Sequence, residues 1–157
     1  MSRRPFLLLD VDGVLCPFGP GTDAPMVECV AGMFPVRYAQ DLPRRLRILA
    51  ERFTPVWATG WGHSANVHLA ARFGLPPLAV IEFEDCDLLP GGSWKLAAVR
   101  RWVRDRPFAW IDDELGQDVH DWSRGRSPAT LLIDADPCVG MTTGHVDELL
   151  TFAEGLR

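Results

Sequence analysis

Long hydrophobic runs are missing from this sequence, and no apolar stretch approaches the roughly 20 residues of a membrane span. The first apolar run, Pro5 to Leu9, soon meets Asp10 and Asp12, and it lacks the length and the small-residue cleavage site of a secretory signal. Cysteine is scarce and scattered. Cys16, Cys29, Cys86 and Cys138 form no C-x-x-C pair, which argues against a zinc knuckle and fits reduced thiols in the cytoplasm. Basic charge is not in excess: the net charge of −5 gives no overall attraction to nucleic acid or to an anionic membrane. Repeats and low-complexity tracts are absent. Lysine is nearly so: of sixteen basic residues fifteen are arginine, and Lys95 is the one lysine. Where arginine is used everywhere else, a lone lysine points to chemistry that a compact ammonium can do and a planar guanidinium cannot.

What is present suits one soluble α/β domain over residues 1–157. The chain of 157 residues carries 47% hydrophobic and 24% charged residues, enough apolar surface for a core without disulfides or metal. Short β-rich runs alternate with helical patterns. Strands are expected at Pro5 to Leu9, Phe53 to Ala58, Leu78 to Phe83, Phe108 to Ile111 and Thr130 to Ile133. Helices are expected from Asp41 to Arg52, from Ser64 to Phe73, from Ser93 to about Arg104, near Gln117 to Trp122, and after Thr142 or Thr143, with Asp41 and Ser93 as N-caps. Pro55 is unusual for a central strand. Strand alternating with helix predicts a doubly wound parallel sheet in a three-layer, Rossmann-like sandwich. Gly13 to Gln40 is too long for a bare connection; Met26–Val30 and Phe34–Tyr38 flank Ala31-Gly32 as a hairpin that would overhang the strand ends.

Ligands bind such sheets at the carboxyl ends of the strands. Strand one ends in Asp10-Val11-Asp12-Gly13, strand two in Thr59-Gly60, and strand four in Asp112-Asp113-Glu114, while Lys95 opens the third helix. Asp10 closes a fully apolar strand, where a buried carboxylate must be compensated. Two acidic clusters on one rim repel each other, and a hard divalent cation such as Mg²⁺ would remove that repulsion. A cation at a helix start opposes the helix dipole, so Lys95 calls for an anionic partner, either Asp10 or a phosphate.

This ordered set resembles the haloacid dehalogenase-like (HAD) hydrolase superfamily. LLLDVDGVL stands as motif one, WATG as motif two, Lys95 as motif three and WIDDE as motif four. The resemblance implies a five-stranded parallel core with a squiggle and flap over residues 13–40. It implies Asp10 as nucleophile and Asp12 as general acid/base. Thr59 and Lys95 would bind the transferring phosphoryl group with Gly60 and Trp61 beside them, and Asp10, Asp12, Asp112 and Asp113 would hold Mg²⁺, Asp12 through its main-chain carbonyl. The acidic pair and Asp12 favour phosphoryl transfer over dehalogenation, which needs no metal. The intervals between motifs hold no cap domain, so the site is expected to be open and to suit a large or extended phosphorylated substrate. WATGW and PCVGMTTGHVDEL are similar to a capless HAD group that includes domains associated with RNA repair proteins, which implies a nucleic-acid end as a substrate. The rival is a non-catalytic HAD-like module that presents its hairpin to a protein or nucleic-acid partner.

Other residues carry two readings each. Trp61 either stacks a base or a sugar or packs on the hairpin. His63 either donates to a substrate or, as the favoured reading, caps the second helix with Ser64. Trp57, Trp102, Trp110 and Trp122 are expected to pack in the core. Glu82, Glu84, Asp85 and Asp87 read as a solvated loop, and Asp134 and Asp136 as rim residues. Arg100, Arg101, Arg104 and Arg106 read as a solvated helix face that would guide a phosphate backbone only if it lay beside the site.

Overall fold

The computed structural model describes residues 3–21, 24–84 and 93–157. In chain order the elements are β1 (Phe6–Leu9), β2 (Met26–Ala31), β3 (Phe34–Ala39), α1 (Leu42–Ala50), β4 (Thr54–Trp57), α2 (Ser64–His68), β5 (Ala79–Val80), α3 (Leu96–Val103), β6 (Phe108–Asp112), α4 (Gln117–Arg124), β7 (Thr130–Asp134) and α5 (Thr143–Glu154). Five strands form one parallel sheet in the order β5-β4-β1-β6-β7, and β2 and β3 form a separate antiparallel hairpin. None of the described helices is long and apolar enough to cross a membrane.

The sheet is central because β1 is apolar on both faces. Leu7 and Leu9 pack one way, against Leu46 and Leu49 of α1, Ala65 of α2 and Leu149 of α5. Leu8 packs the other way, with Val56 and Trp110, against Val99 and Val103 of α3 and Val119 of α4. Successive side chains of a strand leave on opposite faces, so one run of three leucines serves both layers. The result is the expected three-layer sandwich with a hairpin flap after strand one and, among the described residues, no cap.

Several boundaries differ from the sequence reading. α2 stops at His68, well short of Phe73, because the following turns tighten: the Phe73 amide bonds back to Ala70 as well as Leu69, and Gly74 turns at φ +71°. β5 is only Ala79–Val80, not Leu78 to Phe83. That brevity also accommodates Pro55. β5 pairs only with Val56 and Trp57, so the missing N–H of Pro55 lies on a part of β4 with no neighbour on that side. Neither Asp41 nor Ser93 caps a helix through its side chain. Asp41 instead pairs with Arg45 at 2.9 Å, and Lys95 occupies the N-cap of α3. Thr142 does cap α5, accepting from the His145 amide while the His145 ring accepts from the Thr142 amide. Trp102 is not inward but 36% exposed, packed against Phe6.

Cys16 is buried beneath the hairpin, and that burial pushes its thiol up to about 12. Cys138 is exposed. Since the thiolate is the reactive form, iodoacetamide at neutral pH should alkylate Cys138 in the folded protein and reach Cys16 only on unfolding. Peptide mapping with and without denaturant checks this.

Candidate active site

The register of the sheet builds the site. Leu9, the last residue of β1, lies between Trp57 of β4 and Ile111 of β6. The next residue on each strand is therefore Asp10, Ala58 and Asp112, side by side at the carboxyl edge. Asp10 and Asp112 are 6% and 1% exposed, so two carboxylates are held away from water on adjacent strands.

Lys95 compensates them. It is 3% exposed, and its Nζ donates to Asp112 Oδ2 at 2.6 Å and to the Ala58 carbonyl at 2.9 Å, and lies 3.2 Å from Asp10 Oδ1. The anionic partner that its position demanded is thus both carboxylates. Burial works against the Lys95 ammonium, but Asp10 and Asp112 outweigh it and the net direction is up. Asp10 Oδ1 also accepts from the Val11 amide at 2.8 Å. Both contacts fall on Oδ1, so neither holds Oδ2.

Asp112 is anchored by more than Lys95. The Trp110 indole N–H donates to Oδ2 at 3.3 Å and the Glu114 amide to Oδ1 at 2.9 Å. Trp110 is wholly buried, as expected of a packing residue, yet its polar edge also orients a site carboxylate. Trp57, equally buried, instead donates to Asn66 Oδ1 at 2.8 Å, so Asn66 is a structural residue.

Asp113 completes the cluster. Asp10, Asp112 and Asp113 each bring a carboxylate oxygen within 4.8 Å of the others. Three acids against one lysine leave the cluster short of positive charge. Burial pushes the Asp10 carboxyl up to about 8, with Lys95 opposing and Asp112 adding. Burial raises Asp113 too, a hydrogen bond with Asp10 opposing and Asp112 adding. A divalent cation fits this donor set: it would meet only hard oxygens and would oppose the burial that pushes Asp10 and Asp113 up. Gly13 makes room for Asp113. It turns at φ +77°, and a Cβ there would collide with the Asp113 carboxylate.

The chain after Val11 closes into a tight turn in which the Val14, Leu15 and Cys16 amides all point to the Val11 carbonyl. This squiggle turns Asp12 outward. Its carboxylate is not among the three clustered oxygens; Oδ2 instead accepts from the Trp61 indole N–H at 3.1 Å. The Trp61 amide donates to the buried Thr59 hydroxyl at 3.2 Å, and its ring meets Phe34 of β3 edge-on, with centroids 5.7 Å apart. Trp61 therefore does pack on the hairpin, and in doing so links Asp12, Thr59 and the flap. Gly60 lies exposed beside it.

Other candidates fall away from this centre. His63 stands at the N-cap of α2 but makes no side-chain cap bond, and its ring instead meets Glu82 at 2.7 Å on the surface. Asp134 pairs with His120, and Asp136 accepts from the Cys138 amide. Asp85 and Asp87 lie outside the described residues. Arg104 and Arg106 are at the far end of α3, near the amino ends of the strands: the Arg106 guanidinium sits over the Phe6 ring and donates to the Arg4 carbonyl. They do not border the site, and a role in guiding a phosphate backbone to it is set aside.

A search of curated protein sequences gives no match to the chain. Residues 6–146 match the family described as the HAD domain in Swiss Army Knife RNA repair proteins, a span that includes every carboxylate and the lysine of this centre. The chain belongs to that family of HAD domains.

Proposed function

We propose that the protein is a Mg²⁺-dependent phosphomonoesterase that works through a phosphorylated Asp10. The observation that carries this reading is Lys95 set between Asp10 and Asp112, with Asp113 close by. The family is generally hydrolytic, and its association with RNA repair supports a phosphorylated nucleic-acid end as substrate.

Asp10, Asp112 and Asp113 would hold the cation, with the Asp12 main-chain carbonyl as a further ligand. When bound it supplies positive charge against the repulsion between carboxylates and a phosphoryl anion. Asp10 attacks phosphorus through a carboxylate oxygen, and the bond from phosphorus to the leaving oxygen breaks. Asp12, as the acid, gives its proton to that oxygen. The Asp12 carboxylate then takes a proton from water, which attacks phosphorus and breaks the bond to Asp10, releasing inorganic phosphate. Lys95 and the Thr59 hydroxyl stabilise the charge on the phosphoryl oxygens.

The test is a phosphatase screen with Mg²⁺ over nucleotides, sugar phosphates, a phosphopeptide and phosphorylated oligonucleotides, with Asp10→Asn as control. Turnover that survives in Asp10→Asn, or in a verified metal-free preparation, would overturn the reading. Trp61→Phe probes the acid. It keeps a ring but deletes the N–H that holds Asp12. Turnover of alkyl esters, whose leaving oxygen needs a proton, should fall about tenfold. Turnover of p-nitrophenyl phosphate should fall much less.

A further inference from the structure

Beside Asp12 lies a groove of about 770 Å³, bounded by the hairpin tip on one side and Trp61 on the other. Its walls are Met33, Phe34, Pro35 and Trp61, and it reaches the site at Asp12 and Gly60. Met33 is 88% exposed and Phe34 61%, a large apolar surface for a loop tip. The hairpin holds these residues up because Gly32 turns at φ +65° and reverses the chain in two residues.

We propose that this groove binds the base of the nucleotide whose phosphate is removed, in the aromatic corner that Trp61 and Phe34 form, stacked on one ring and against the edge of the other, and that the base rather than the phosphate backbone selects the substrate. The inference rests on the phosphomonoesterase reading and names the substrate feature that the site recognises.

Three observations carry it. First, Asp12 is the group placed to protonate the leaving oxygen, and it lines this groove. The groove on the opposite side of Gly60 lacks Asp12 and is lined by Glu82 and Glu84, which disfavour an anionic ligand. Asp12 also lines a smaller cavity of about 410 Å³, but Glu28 stands there and the Arg37 guanidinium is taken up by the Gly19 and Pro20 carbonyls and by Glu28. The groove at Trp61 alone sets Asp12 beside an uncharged apolar wall among the described residues, and the leaving group departs into it. Second, none of the described residues lining the groove is lysine or arginine; its one basic side chain, His68, packs against Gly32. A second phosphate next to the scissile one would find no partner, whereas a flat uncharged ring would. Third, Trp61 is held by three contacts, to Asp12, Thr59 and Phe34, so its ring is ordered before a ligand arrives and little entropy is lost on stacking. Stacking on aromatic side chains tolerates any base.

The experiment compares kcat/KM for matched 3′- and 5′-phosphates with and without the base, for a mononucleotide and for an oligonucleotide end, at 50 and 200 mM salt. The base-bearing ester should be preferred by about tenfold or more. Phe34→Ala and Met33→Ala, both at exposed positions, should reduce that preference toward one. Val67→Ala, an exposed apolar residue outside the groove, should leave it in place. The preference should be alike for mononucleotide and oligonucleotide and change little with salt. Equal rates with and without the base, a preference untouched by Phe34→Ala, or a steeply salt-dependent advantage for the oligonucleotide would overturn the proposal and leave the phosphatase reading standing. If no ester is hydrolysed, that reading fails by itself, and binding decides the groove. A nucleoside monophosphate should shift the NMR signals of the Met33 methyl and Trp61 indole where ribose phosphate does not, and no such difference overturns the proposal.

Discussion

Asp10→Asn should abolish turnover and, in the same sample, make the metal-free protein harder to unfold. The loss of activity follows from removing the proposed nucleophile and should reach roughly a thousandfold or more. The gain in stability follows from burial. Asp10 holds its proton up to about pH 8 in the folded chain, against an ordinary value of 3.8. A carboxyl whose folded value is raised favours folding most below its unfolded value, and that contribution drains away as pH climbs from about 4 to about 8. Asparagine keeps an oxygen to accept from the Val11 amide and carries no charge to desolvate. The gain should be on the order of 1 kcal/mol at pH 8, roughly 2–4 °C in Tm, and should vanish near pH 4. Calorimetry in chelator at the two pH values checks it. A variant less stable than wild type at pH 8 would show that the Asp10–Lys95 attraction outweighs the burial cost.

Lys95→Met should do the reverse to stability. The substitution keeps an unbranched side chain but leaves Asp112, and above its own titration Asp10, buried without a cation. Breaking one side of a buried ion pair costs about 3–5 kcal/mol. The loss should be larger at pH 8 than at pH 5, where Asp10 is protonated, and added Mg²⁺ should recover part of it. Activity should fall as well, and Lys95→Arg should not restore it, because a planar fork cannot reach Asp10, Asp112 and the Ala58 carbonyl from the same small space. Wild-type Tm and turnover in Lys95→Met would remove Lys95 from the site.

Much of this centre was legible in the sequence, for a physical reason. Asp10 ends an apolar run and Lys95 opens a helix, and each is a local conflict between a charge and its surroundings. Such conflicts persist where something else compensates them, and here the two compensate each other. The hairpin was legible because its apolar runs flank a glycine. The contacts of Trp110 with Asp112 and of Trp61 with Asp12 were less so. A tryptophan enters a pattern through its apolar bulk, and nothing in periodicity says where its single N–H will point. Helix ends were the least legible. Asp41 and Ser93 have capping side chains, but Asp41 was claimed by Arg45, and the Ser93 amide donates to Asp118 from a distant helix. The remoteness of Arg106 from the site followed only once α3 was seen to run from Lys95 at the carboxyl edge to the opposite end of the sheet.

The pairing of β1 with β6 has a consequence for how the protein comes into being. Residues 10 and 112 meet only when strands about a hundred positions apart have zipped together, and the cluster of Asp10, Asp112 and Asp113 depends on that event. Pairings so distant in sequence are slow to form, because the chain entropy must be lost before the contacts repay it. A nascent chain that has not yet produced β6 lacks two of the three carboxylates that would hold a divalent cation. The proposed chemistry would thus be withheld until most of the polypeptide exists, and capture of a cation would be a late marker of completed folding.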